Sequence, residues 1–129
     1  MIPADGSYIY CADDSVLSEM SNNIEHPNKK GYSMLPHTIV NGTTILNTSE
    51  GDFPLQIFGK HNLANLNAAK LACNAVGISD LQFYNAITSF KGASNRLELL
   101  YKDEQTAAYK DFAHSPSKLK ATITAVREQ

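Results

Sequence analysis

The sequence predicts a mixed α/β fold, and three observations carry that prediction. Short runs of β-branched and aromatic residues alternate with helix-periodic segments along the chain. An Asn41-Gly42 pair stands between two β-branched runs, the strongest short hairpin signal. Helix-start chemistry at Asp13-Asp14-Ser15, at Ser79 and at Ser115-Pro116 precedes segments with apolar faces.

Taken in order, Ser7–Cys11 reads as a strand through Tyr8, Ile9 and Tyr10. A short helix follows, with Val16, Leu17 and Met20 on one side. Residues 21–31 are polar and contain Pro27 and Gly31, so they read as loop. Thr38–Val40 and Thr43–Leu46 form the hairpin, because Asn-Gly supplies the two positive φ angles of a type I′ turn. Phe53–Phe58 is a third strand paired with the hairpin, and Pro54 marks it as an edge or a strand end. Asn62–Val76 is a helix with Leu63, Leu66, Ala69, Cys73 and Val76 near one face, ended by Gly77 in a left-handed cap. Ser79 to Gln82 is a capping box opening a second helix, with Phe83, Ile87 and Phe90 as its apolar face. Lys91–Ser94 ends that helix. Leu97–Tyr101 and Thr106–Phe112 are strands joined by a polar turn, and Ser115-Pro116 starts a last helix through Leu119, Ile123 and Val126.

Composition narrows the function. At 129 residues the chain is one ordinary domain in length, and 43% hydrophobic residues are enough for a core. A net charge of −2 argues against a nucleic-acid binder, which neutralises phosphates with clustered Lys and Arg. No apolar run approaches the roughly 18 residues of a membrane span, and Met1–Ser7 shows no secretory pattern. Cys11 and Cys73 lack metal-ligand spacing and read as buried, reduced thiols of a cytoplasmic protein.

Three segments can carry chemistry. In Gly59-Lys60-His61-Asn62-Leu63-Ala64-Asn65, Asn62 and Asn65 share one side of a first helical turn, where an amide caps the helix or bonds a base and ribose. The Gly59-Lys60 pair is not a phosphate loop: no glycine stands five residues earlier, and His61 occupies the Ser/Thr place. In Asn95-Arg96-Leu97-Glu98, Arg96 contacts a phosphate or base, or else forms a surface ion pair with Glu98. In Asp111-Phe112-Ala113-His114-Ser115-Pro116, Asp111 and His114 stand where a strand meets a helix N-terminus, a place that favours anions; His114 can equally be a plain helix-flanking residue. A Ser115/His114/Asp111 triad is a poor reading, since residues so close along one turn seldom reach triad geometry.

In this order and spacing, these segments resemble the Mur ligase family of peptidoglycan synthesis. Gly59–Asn65 with Ala68-Ala69 is similar to its Gly-x-His-Asn-x-x-Asn-x-x-Ala-Ala motif; Phe90-Lys91-Gly92 with Arg96 and Glu98 to its Phe-x-Gly…Arg-x-Glu; and Asp111–Pro116 to its Asp-[Phe/Tyr]-[Ala/Gly]-His-x-Pro. The motifs cover about residues 57–129 and lie nearest the members that take UDP-N-acetylmuramate, which join it to L-alanine or a murein peptide. The resemblance implies a ligase that uses ATP and Mg²⁺ to make an acyl phosphate, which an amine then attacks. It implies nucleotide binding by Asn62, Asn65, Arg96, Asp111 and His114, with no residue of this chain assigned to catalysis or metal binding. It implies that residues 1–94 are the C-terminal part of a central ATP-binding domain, and that 95–129 are a hinge and the first strand–helix unit of a Rossmann-like ligase domain.

The family's phosphate loop and metal-binding glutamate have no counterpart among the seven glycines and the acidic residues of this chain. The expectation is therefore an interior portion of such a ligase. Alone it has no activity, binds ATP weakly, and has truncated edges that permit oligomers. Its Asp111 and His114 act only in a closed, multi-domain enzyme. A stand-alone nucleotide-binding module and an α/β protein-interaction domain are the alternative readings.

Overall fold

A computed structural model describes residues 2–129, and its architecture is α/β. The elements are β1 (Tyr8–Cys11), α1 (Ser15–Asn22), β2 (Lys29–Tyr32), β3 (His37–Val40), β4 (Thr43–Thr48), β5 (Gly51–Leu55), α2 (Lys60–Ala75), α3 (Asp80–Ile87), β6 (Glu98–Lys102), β7 (Ala107–Lys110) and α4 (Pro116–Glu128). Strands β1 and β2 pair in parallel, β3-β4-β5 form an antiparallel sheet in that order, and β6 and β7 form an antiparallel pair.

Asp14 caps α1, its carboxylate accepting from the Val16 and Leu17 amides at 3.0 Å each. Val16, Leu17 and Met20 nevertheless face solvent, and the buried residue of this helix is Ser21. The stretch expected to be all loop contains β2, paired from Tyr8–Lys29 to Cys11–Tyr32. Hydrophobic patterning could not reveal it. Its Lys29 instead uses the ammonium group locally, donating to the carbonyls of Ser21 (2.9 Å) and Ile24 (3.2 Å) around the α1 C-terminus. Cys11 and Cys73 are free thiols but only partly buried, short of the burial expected.

The hairpin forms as predicted. Val40 pairs with Thr43, and Asn41 (φ 50°) and Gly42 (φ 73°) make the two-residue turn. β5 is an edge strand against β4, with Pro54 opposite Ile45. It stops at Leu55, before the expected Phe58, although Ile57 and Phe58 stay buried.

The main core joins Leu46, Phe53, Leu55 and Ile57 to Leu63 and Leu66 of α2 and Phe83 and Tyr84 of α3. Val76 is 79% exposed because the helix ends at Ala75 and Val76 is already its C-cap. Beyond it Gly77 (φ 92°) closes a Schellman arrangement, with Ile78 N–H on Cys73 O and Gly77 N–H on Asn74 O, both 3.1 Å.

The Ser79 capping box is complete. Gln82 N–H donates to Ser79 Oγ (3.3 Å) and Ser79 N–H to Gln82 Oε1 (2.9 Å). Ser79→Ala is expected to cost about 1 kcal/mol, read as a lower urea midpoint at unchanged slope; an unmoved midpoint would show that the cap contributes nothing. Lys70 ties α2 to α3 by bonding Asp80 (3.0 Å) and the Tyr84 hydroxyl (3.2 Å), and that bond holds the Asp80 carboxyl below the usual carboxylate range.

Ser115 caps α4 with Pro116 at its first turn, as the sequence predicts. The stripe expected to pack does not: Leu119, Ile123 and Val126 are exposed, and the buried residue is Ala125. Only a small side chain fits there, because α4 crosses close to Gly59. Ala125 closes a second core with Phe58 and Leu97, flanked by Tyr109. Gln129 then reaches the hairpin, where its side chain accepts from the buried Thr44 hydroxyl (3.1 Å) and donates to Gly42 O.

Candidate functional site

The site is built where β5 leads into α2. Gly59 precedes the helix at φ 89°, ψ 142°, a conformation that side chains rarely permit. As the third residue of α2, which starts at Lys60 and not at the expected Asn62, Asn62 donates its side-chain amide back to Phe58 O at 2.9 Å, so it steadies the junction without being the N-cap. Asn65 lies one turn further on and is exposed. These two asparagines and Arg96 border a single cavity of about 360 Å³, with Ile57, Leu66, Ile87 and Phe90 as apolar walls. Phe90, expected to pack with the α3 face, is instead 45% exposed at this rim.

A second cavity, of about 530 Å³, is bordered by His61, Arg96, Asp111, His114, Lys118 and Thr122. Arg96 therefore borders both. His114 donates from Nδ1 to Phe112 O at 3.0 Å and leans on the Phe112 ring. Desolvation at the cavity rim pushes the His61 imidazole below its usual range; Asp111 opposes that effect and Arg96 adds to it.

Asp111 accepts from three protein donors. Its Oδ2 accepts from Leu97 N–H (2.9 Å), and its Oδ1 from Ala113 N–H (2.7 Å) and the Thr122 hydroxyl (3.1 Å). Ser115 is used as a helix cap, its Oγ accepting from Lys118 N–H at 3.4 Å. The alternative of an Arg96–Glu98 ion pair is not what forms. Among the described residues the ion pairs are Lys60–Glu128 and Lys70–Asp80, and Glu98 Oε2 accepts from Asn95 N–H at 2.8 Å. Asn95 (φ 59°) and Leu97 (φ 47°) flank Arg96 in left-handed conformations. For leucine that conformation costs about 1–2 kcal/mol, which its burial and the Asp111 bond offset.

The structure thus brings Asn62, Asn65 and Arg96 to one cavity and Asp111 and His114 to the next. Sequence reasoning placed His61 in the Gly-x-His-Asn motif and denied it a phosphate-loop role, but did not give it a place in a cavity wall. It missed Lys118 and Thr122, which carry no local signal, and the joining of the apolar walls, which come from α2, α3 and the segments that follow β5 and α3. Among the described residues no group of three or more His, Cys, Asp or Glu side chains can hold a metal ion, and no helix is long and apolar enough to cross a membrane.

No protein-family model matches the sequence. Individual proteins do. The chain is 31% identical to the UDP-N-acetylmuramate–L-alanine ligase of Acetivibrio thermocellus over 98% of its own length and 30% of the relative's. It is 34% identical to the same-named ligase of Prochlorococcus marinus over 81% of its length and 23% of the relative's. Its fold matches MurF from Acinetobacter baumannii with a TM-score of 0.75 at 18% identity, over all of this chain and 30% of that one. It spans less than a third of the length of these proteins. With three ordered motifs converging on adjoining cavities, and relatives in both sequence and fold, this chain belongs to the Mur ligase family.

Proposed function

We propose that this chain forms the nucleoside-binding wall of the ATP site in a peptidoglycan-synthesis ligase. That ligase joins UDP-N-acetylmuramate to L-alanine or to a murein peptide. The observation that supports this reading is the meeting of Asn62, Asn65 and Arg96 around one apolar-walled cavity. A purine needs a flat apolar slot with amides at its edge, and Ile57, Leu66, Ile87 and Phe90 beside the two asparagines supply both. Arg96 offers a permanent positive charge at the boundary with the second cavity, where His114 and Lys118 continue the polar rim.

ATP, when bound, supplies the phosphoryl group that activates a carboxylate for amide formation. The residues here fit its nucleoside end. Mg²⁺ in such a site needs one or two carboxylates beside the phosphates, and in this reading no residue of this chain is assigned to it. Nor does any of the seven glycines stand in a phosphate-cradling loop. In this reading residues 1–94 belong to the central ATP-binding domain, and 95–129 are the hinge and the start of the ligase domain.

Titration of the ¹⁵N-labelled chain with AMP tests the reading. The expected result is a dissociation constant on the order of millimolar, with the largest shifts at the Asn62 and Asn65 side-chain amides. ATP with Mg²⁺ should bind no more tightly than AMP. Arg96→Ala should weaken AMP by about tenfold, the worth of one charged hydrogen bond. Shifts confined to other surfaces, or none at all, would overturn the assignment. A Gly-x-x-Gly-Lys-Thr/Ser loop encoded upstream in the same reading frame is the expected companion, and its absence would count against ligase activity.

A further inference from the structure

Arg96 borders both cavities, yet the backbone that carries it is unusual. Residues on either side, Asn95 and Leu97, are left-handed, and neither is glycine. Such a double turn persists only where its surroundings over-determine it. Two carboxylates do so here. Glu98 Oε2 accepts from Asn95 N–H at 2.8 Å and from the Ser94 hydroxyl at 3.4 Å. Asp111 Oδ2 accepts from Leu97 N–H at 2.9 Å, while its Oδ1 takes Ala113 N–H and the Thr122 hydroxyl of α4. Phe112 N–H returns to Asn95 O at 2.8 Å, and Arg96 N–H bonds Ala93 O at 3.1 Å.

We propose that Glu98 and Asp111 are positioning residues: their carboxylates clip the two left-handed peptides around Arg96 and so hold its side chain at the boundary of the two cavities. Asp111 then acts through Arg96 and the backbone, its two oxygens accepting from Leu97 N–H, Ala113 N–H and the Thr122 hydroxyl. The two clips differ in chemistry. Three donors converge on both oxygens of Asp111, so an amide, with one acceptor oxygen, cannot replace it. Both donors at Glu98 converge on one oxygen, so glutamine can. The ligand readout rests on the nucleotide reading above; the backbone readout does not.

The experiment uses the full 129-residue chain with AMP as the probe, and amide exchange measured by NMR. Glu98→Ala and Asp111→Asn should each weaken AMP by about fivefold, Glu98→Gln should leave it unchanged, and neither damaging change should have further effect in an Arg96→Ala chain. Exchange should rise about tenfold at the Asn95 amide in Glu98→Ala and at the Leu97 amide in Asp111→Asn. The inference is overturned if Glu98→Gln is as damaging as Glu98→Ala, if the losses persist without Arg96, or if the two amides stay protected. Should the unaltered chain bind no AMP, the nucleotide reading alone fails and the exchange data decide the clip. Should Asp111→Asn fail to fold, the Glu98 alanine and glutamine pair decides it, since glutamine is expected to restore what alanine removes.

Discussion

Gly59→Ala is expected to destabilise the fold by about 2–4 kcal/mol, seen as a fall in the urea midpoint. Two causes act together. A backbone at φ 89° and ψ 142° is one that L-residues rarely adopt. A Cβ built at Gly59 would also lie 2.8 Å from the Cβ of Ala125, closer than carbon atoms approach. The double replacement separates the two. Gly59→Ala with Ala125→Gly relieves the contact and leaves the backbone strain, so the pair should be less damaging than the sum of the singles. Ala125→Gly alone should cost about 1 kcal/mol as a glycine inside α4. Strict additivity would mean that α4 does not rest on this junction, and an unmoved midpoint in Gly59→Ala would mean that the junction has another conformation.

Leu63→Ala should cost about 3–4 kcal/mol, because it removes a fully buried side chain from the centre of the main core and leaves a cavity. Against a total stability of about 5–15 kcal/mol this is a large fraction, and the transition should move well toward lower denaturant. Asn65→Ala, two residues further along the same helix and exposed, is the control; its effect should stay within about 0.5 kcal/mol. Equal losses at the two positions would show that α2 presents a different face to the sheet. The contrast also separates roles. Asn65 should matter for AMP and little for stability, whereas Leu63 should matter for stability first.

The signals that were legible in the sequence are those that act over a few residues. Asn41-Gly42 closes its hairpin because the two residues tolerate the required angles whatever surrounds them. Ser79 with Gln82, Asp14 and Ser115 cap their helices through bonds spanning two or three residues. Three motifs in order were enough to name a family, and the asparagines and Arg96 they point to do border one cavity. In each case the chemistry is local, so the sequence states it directly.

What the sequence concealed depends on which surface meets which. α4 carries an apolar stripe of Leu119, Ile123 and Val126, yet it buries Ala125, because the neighbouring Gly59 leaves room only for a methyl group. β2 forms from polar residues because its backbone finds a partner in β1, and a lysine side chain can serve a helix end instead of solvent. Arg96 and Glu98 looked like an ion pair at two-residue spacing. The left-handed turns at Asn95 and Leu97 direct the carboxylate to a backbone amide instead. Asp111 is bound by residues 14 positions earlier and 11 later, a convergence that no window of sequence contains. Thus the sequence by itself determined the α/β class, the caps of α1, α3 and α4, the hairpin turn and the family, since each rests on patterns among near neighbours. Tertiary structure alone decided which apolar faces are covered, where Arg96 stands and what Asp111 holds, because those follow from the packing of α4 and β7 against segments distant in the chain.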